Sequence, residues 1–234
     1  MARRFGMVLD AALLVAMAAG FGMIFFYAPI ESEMGIVQKI FYVHVPLAWN
    51  AFLGFAIVFF ASFRYLATRD PKWDARALAA AEVGVLFTTL VLITGPIWAK
   101  PVWGIWWTWD ARLTLTLVLW LIYVGYLMLR RYVDSPERRA VLSAVVGVTG
   151  FIDVPLVYFA IRWWRTQHPQ PVIAGGEGSG LDPRMASTLW VCVAALTLLF
   201  IALYRRRLAI EALRARADAL REEADAARAE GARS

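Results

Sequence analysis

Two histidines, His44 and His168, one cysteine, Cys192, and eleven tryptophans stand out in a chain of 234 residues. Neutral imidazole is the commonest metal ligand among side chains, and its two ring nitrogens take different roles according to which carries the proton. Trp98, Trp103, Trp106, Trp107 and Trp109 fall within twelve residues of the run IWAKPVWGIWWTWDARLTLT. Indoles gather at membrane interfaces because the ring is apolar while its N–H seeks a partner, so an aromatic belt explains one or two of them. Five in close succession, followed by Asp110 and Arg112, make a continuous aromatic surface instead. At helical spacing Trp103, Trp106 and Trp107 share a face, Trp109 is displaced and Gly104 leaves a gap, a shape suited to a flat apolar molecule several indoles wide. A single thiol permits no intrachain disulfide, metal–thiolate cluster or C-x-x-C-H haem attachment, so any redox chemistry belongs to a bound group.

The elements that must position these residues are membrane spans. Apolar residues make up 61% of the chain and charged residues 18%, against roughly 45–50% and about 25% in soluble domains. That composition excludes a water-soluble globule. Six stretches, 8–28, 45–63, 77–97, 113–129, 140–161 and 186–204, are almost free of charge and close to the roughly 20 residues a helix needs to cross the hydrocarbon. The first is as long as the rest and has no small-residue cleavage site after it, so it reads as a span and not a cleaved leader. Lys and Arg number 15 in the segments 1–7, 64–76, 130–139 and 205–220, against 6 in the alternate connections 29–44, 98–112 and 162–185. By the positive-inside rule both termini face the cytoplasm and the second set of loops faces outward; the formal charge of +6 reflects orientation in lipid rather than nucleic-acid binding.

The expected fold is therefore all-α and polytopic: a six-helix transmembrane domain over 1–204 with a tryptophan-rich outer loop at 98–112, and a charged, helical cytoplasmic tail over 205–234. Pro96 and Pro155 free backbone carbonyls and are expected to kink their helices. In the tail, Ile210, Leu213, Ala217, Leu220, Ala224 and Ala227 recur at alternating spacings of three and four, which places them on one helical face. This face is read either as part of a solvated helix near lipid headgroups or as a docking surface for a cytoplasmic partner.

In this topology His44, at the end of the first outer loop, and His168, just beyond the fifth span, share a side with the tryptophan run. A lone interfacial histidine is ordinarily a hydrogen-bonding surface residue. Two imidazoles beside an aromatic platform are what six-coordinate haem iron requires. Haem propionates need cations, and Lys39, Lys100, Arg112, Arg162, Arg165 and Arg184 are candidates; guanidinium matches the carboxylate fork best. Arg112 is preferred for its position, with pairing to Asp110 as its alternative. Asp110 falls where a helix begins and suits an N-cap as well as a cofactor contact. Asp10, Glu82 and Asp153 are costly ionisable groups within spans; the first two lie near inner helix ends, whereas Asp153 beside Pro155 lies deeper.

The stretch WGIWWTWDARLT resembles the tryptophan-rich WWD signature of the haem-handling membrane proteins of c-type cytochrome biogenesis. FYVHVP around His44, WWRTQH around His168 and the six-helix length are similar to the haem exporter C family within it, over about Phe41 to Leu203. The resemblance implies that His44 and His168 are axial ligands of haem b carried as cargo. It also implies that the loop bearing Trp98, Trp103, Trp106, Trp107, Trp109, Asp110 and Arg112 cradles that haem at the outer face of the bacterial inner membrane. Presentation to a periplasmic haem chaperone, the E subunit, follows by the same resemblance, with release assisted by an ABC transporter's A and B subunits and a small single-helix D subunit. Longer relatives carry further transmembrane histidines and helices that this chain lacks, which argues against the haem-lyase branches. The expected role is thus a binding and presenting subunit, not an enzyme. A b-type haem subunit of a membrane quinol oxidoreductase is the alternative, although that chemistry usually places four histidines inside helices. A permease, with polar residues and broken helices at mid-membrane, fits less well.

Overall fold

A computed structural model describes residues 2–164, 167–168 and 181–231. Among them are seven α-helices: α1 (Ala2–Gly22), α2 (Phe41–Thr68), α3 (Pro71–Trp103), α4 (Ala111–Tyr132), α5 (Pro136–Gly150), α6 (Asp153–Trp163) and α7 (Pro183–Gly231). A π-helical turn, Met23–Tyr27, extends α1, and a 3-10 turn, Ile36–Ile40, leads into α2. Six helical segments are long and apolar enough to cross a membrane, with α5 and α6 together forming the fifth.

Local chemistry sets the boundaries. Asp70, Asp110 and Ser135 cap α3, α4 and α5 by accepting from the N–H groups of Lys72, Leu113 and Arg138, and Pro71 and Pro136 occupy first-turn positions where no N–H is needed. Gly104 ends α3 in the left-handed region, φ +77°, with its N–H donating to the Lys100 carbonyl.

The centre of the bundle is α2, which packs on α3, α5 and α7. Its most extensive packing is with α3, where a Cβ added to Gly54 would lie 3.1 Å from Gly84 Cα, and one added to Gly84 would lie 2.8 Å from Phe55 Cε1. Small residues let helices approach in lipid, where no hydrophobic force drives them together. Phe55 in turn stacks on Tyr123 of α4 at 3.9 Å, and both rings are fully buried. At the opposite end from the tryptophan run, charges pair: Arg130 is bidentate to Asp74, Arg207 bonds Glu82, and Arg206 meets Asp10 at 2.8 Å. These pairs show how Asp10 and Glu82 are accommodated.

Three differences from the expected layout follow from local geometry. The kink expected at Pro155 is a break: α5 ends at Gly150 and α6 starts at Asp153, whose side chain is buried with Oδ2 unpartnered among the described residues. Helix α3 runs through Pro96 and Pro101 to Trp103, so the 98–112 segment begins as helix. No boundary separates the sixth span from the tail, because α7 is one helix of 49 residues, roughly 73 Å long at 1.5 Å per residue.

Candidate functional site

A cavity opens at the end of the bundle that carries the 29–40 and 104–110 connections. Its walls come from α2, α3, α4 and α6, and Met34, Trp107 and His168 line it from the connecting segments. The lining is mostly apolar with a few polar groups, as small-molecule sites usually are. Met34 is held by a short turn in which its N–H and that of Glu33 donate to the Glu31 carboxylate at 2.6 and 3.0 Å; these two bonds keep the Glu31 carboxyl below the usual carboxylate range. Gly35 makes the turn possible at φ +61°.

Both histidines line this one cavity. His44 is placed one residue-turn deeper than the sequence suggested: it sits in the first turn of α2, 8% exposed, because α2 starts at Phe41 and not beyond the histidine. Its ring packs edge-on against Trp98 at 5.8 Å, and its Nδ1 is 2.8 Å from Thr94 Oγ1. His168 is half-buried.

The five tryptophans divide. Trp98, Trp103 and Trp107 line the cavity, whereas Trp106 and Trp109 are 57% and 75% exposed and do not. A shared helical face for Trp103, Trp106 and Trp107 does not form, since Gly104 terminates the helix between them. The indole Nε1 atoms of Trp98 and Trp107 are buried without a hydrogen-bond partner among the described residues.

The cations divide as well. Arg112 lines the cavity, and its Nη1 is likewise buried and unpartnered among the described residues. Lys39 donates to the Phe25 carbonyl, Lys100 to the Gly104 carbonyl, Arg162 lies over Phe159, and Arg184 faces Asp182. Arg165 lies outside the described residues. Asp110 acts as the N-cap of α4, with Oδ1 accepting from Leu113 N–H at 3.0 Å and Oδ2 from the Thr108 hydroxyl at 2.9 Å. Its contribution to the site is to start the helix that carries Arg112.

Sequence reading missed Thr94, Trp49 and Tyr158. Trp49 and Tyr158 line the cavity and pack edge-on at 6.4 Å. A weak signal existed: Thr94 precedes Trp98 by one helical turn and Trp49 follows His44 by five residues, but in apolar spans such spacings are common.

Chemically, the site offers two imidazoles, three N–H donors without partners among the described residues, and apolar walls. Among the described residues no group of three or more His, Cys, Asp or Glu side chains converges. Iron already held by a macrocycle needs only axial ligands from a protein. Buried N–H groups without partners cost roughly 1–3 kcal/mol each, and an anionic group in the cavity would relieve that cost.

The heme exporter protein C (CcmC) family model matches residues 1–223. Heme exporter protein C of Bradyrhizobium diazoefficiens is 40% identical over 189 residues, covering 81% of this chain and 72% of the relative. The Rhodobacter capsulatus protein of the same name is 34% identical, covering 88% and 85%, and that of Escherichia coli K12 33% identical, covering 77% and 73%. With the match running through all six spans and both histidines, the chain belongs to the heme exporter protein C family.

Proposed function

We propose that this chain binds haem, as cargo, in the cavity between α2, α3, α4 and α6, and delivers it for c-type cytochrome maturation. The observation that carries this reading is that His44 and His168, the chain's only histidines, line one cavity together with the unpartnered donors of Arg112, Trp98 and Trp107. In it, His44 and His168 supply the axial nitrogens, Trp98, Trp103 and Trp107 flank the macrocycle, and Arg112 receives a propionate. The names of the relatives support the haem cargo. The excess of Lys and Arg in the segments 1–7, 64–76, 130–139 and 205–220 over the alternate connections supports an N-in, C-in orientation in a bacterial inner membrane, with the cavity facing the periplasm.

Hand-off follows from the same chemistry. Coordination by two neutral imidazoles is reversible, so a partner that offers a competing ligand or a covalent bond can draw haem away. We assign that partner as a periplasmic haem chaperone, within an assembly containing ABC-type A and B subunits and a single-helix D subunit. The chain's two histidines make at most one axial pair, which leaves a two-haem quinol oxidoreductase subunit without its second pair.

Absorption and resonance Raman spectra of the purified chain test the reading. Wild type is expected to show a six-coordinate low-spin Soret band, His44→Ala and His168→Ala each a five-coordinate species or haem loss, and the double variant no bound haem. Equal haem with identical spectra in all four proteins would exclude axial ligation by these residues.

A further inference from the structure

We propose that Thr94 is a positioning residue that decides which nitrogen of His44 is available to iron; this deepens, and rests on, the haem reading above. Thr94 Oγ1 lies 2.8 Å from His44 Nδ1. It also lies 2.8 Å from the Leu90 carbonyl oxygen one turn earlier in α3, and 3.4 Å from that of Val91. A carbonyl can only accept, so the single hydroxyl proton is committed to the helix backbone. What remains for the imidazole is a lone pair. His44 Nδ1 must therefore carry a proton, and in the neutral ring Nε2 is left bare.

Helix α3 holds the ring by two further neighbours. Trp98, one turn after Thr94, packs edge-on against it with an interplanar angle of 71°. At Gly95 an added Cβ would come 3.4 Å from His44 Cε1, so the ring rests against α3 backbone. Thr94, Gly95 and Trp98 thus form a template on one helix against which a ligand from another is docked. A hydrogen-bond acceptor behind a metal-binding histidine fixes tautomer and ring orientation and raises ligand basicity, and this role is usually filled by a carboxylate, a backbone carbonyl or water. Within a lipid-embedded bundle, a threonine anchored to its own helix does the same without bringing in a charge.

The test begins with the apo protein. Isotope-labelled histidine gives two imidazole signals in the full chain, and His168→Ala leaves that of His44 alone. In this background the His44 ring is expected to be protonated at Nδ1 and bare at Nε2, and Thr94→Ser is expected to preserve that pattern. Thr94→Val removes the acceptor at similar volume and shifts the population toward the Nε2-protonated tautomer. In the otherwise wild-type chain, haem affinity falls about 10–100-fold in Thr94→Val, the usual effect of losing such a partner, and stays near wild type in Thr94→Ser. An apo ring protonated at Nε2 with Thr94 in place, or a Thr94→Val imidazole spectrum indistinguishable from that of the threonine protein, overturns the proposal. If the tautomer pattern holds while His44→Ala leaves the haem spectrum unchanged, the haem reading is what fails, and the ligand role falls with it.

Discussion

Arg112 illustrates how a residue's environment narrows what its type leaves open. Six cations share the end of the chain's connections that carries the histidines, and spacing alone does not choose among them. Four of the five that are described are turned to local carbonyls, an aromatic face or a carboxylate, whereas Arg112 lines the cavity with Nη1 unpartnered among the described residues. Hydrogen bonds to charged groups contribute roughly 1.5–3 kcal/mol, so Arg112→Met is expected to weaken haem binding by about 10- to 100-fold without loss of protein accumulation. Haem titration of the purified variant checks this, and Arg112→Lys is expected to fall between the two because one ammonium does not reproduce the guanidinium fork. The residue types of the site were legible in the sequence: two imidazoles and an indole cluster are rare enough to be noticed. Their grouping was less so. Trp106 and Trp107 are neighbours that part, one exposed and one lining the cavity, because Gly104 ends α3 before them and the non-helical segment that follows keeps no helical face.

Helices in lipid are legible because bilayer thickness fixes their length, and each of the six apolar stretches falls in a helical segment long and apolar enough to cross a membrane. What hydropathy does not carry is where a span tightens or breaks. A kink was expected at Pro96, and the helix carries that proline inside it and continues for two further turns. Near Pro155 the same residue type does accompany a break, at Phe151–Ile152. The close crossing of α2 and α3 at Gly54 and Gly84 gives a prediction at this scale. Phe55 cannot retreat from a Cβ at Gly84, since its other face is stacked on Tyr123. Gly84→Val is therefore expected to destabilise the bundle by about 1–3 kcal/mol, the usual cost of overpacking, seen as a lower thermal midpoint in detergent. Gly125, with open space around its Cβ direction, is expected to accept alanine with no such shift.

The molecule as a whole has two unlike ends. One carries the cavity, the histidines and the aromatic rings; the other carries the paired charges and a helix that contacts the bundle through Arg206 and Arg207 and is exposed over 212–230. Orientation can be read chemically because the only thiol, Cys192, is buried. In a Cys192→Ser background, Ser32→Cys is expected to react with an impermeant maleimide in intact cells and Ala217→Cys only after lysis. Labelling of Ala217→Cys in intact cells would reverse the assigned orientation.

The floor of the cavity has its own consequence. Thr88, Leu119 and Ala51 line it there, and one turn farther the Phe55–Tyr123 stack and the Gly54–Gly84 contact pack α2, α3 and α4 closely. On the proposed haem reading, the expected path for loading and unloading is therefore the mouth at the histidine end, which double-labelling of that rim and blocking it with a bulky maleimide would check.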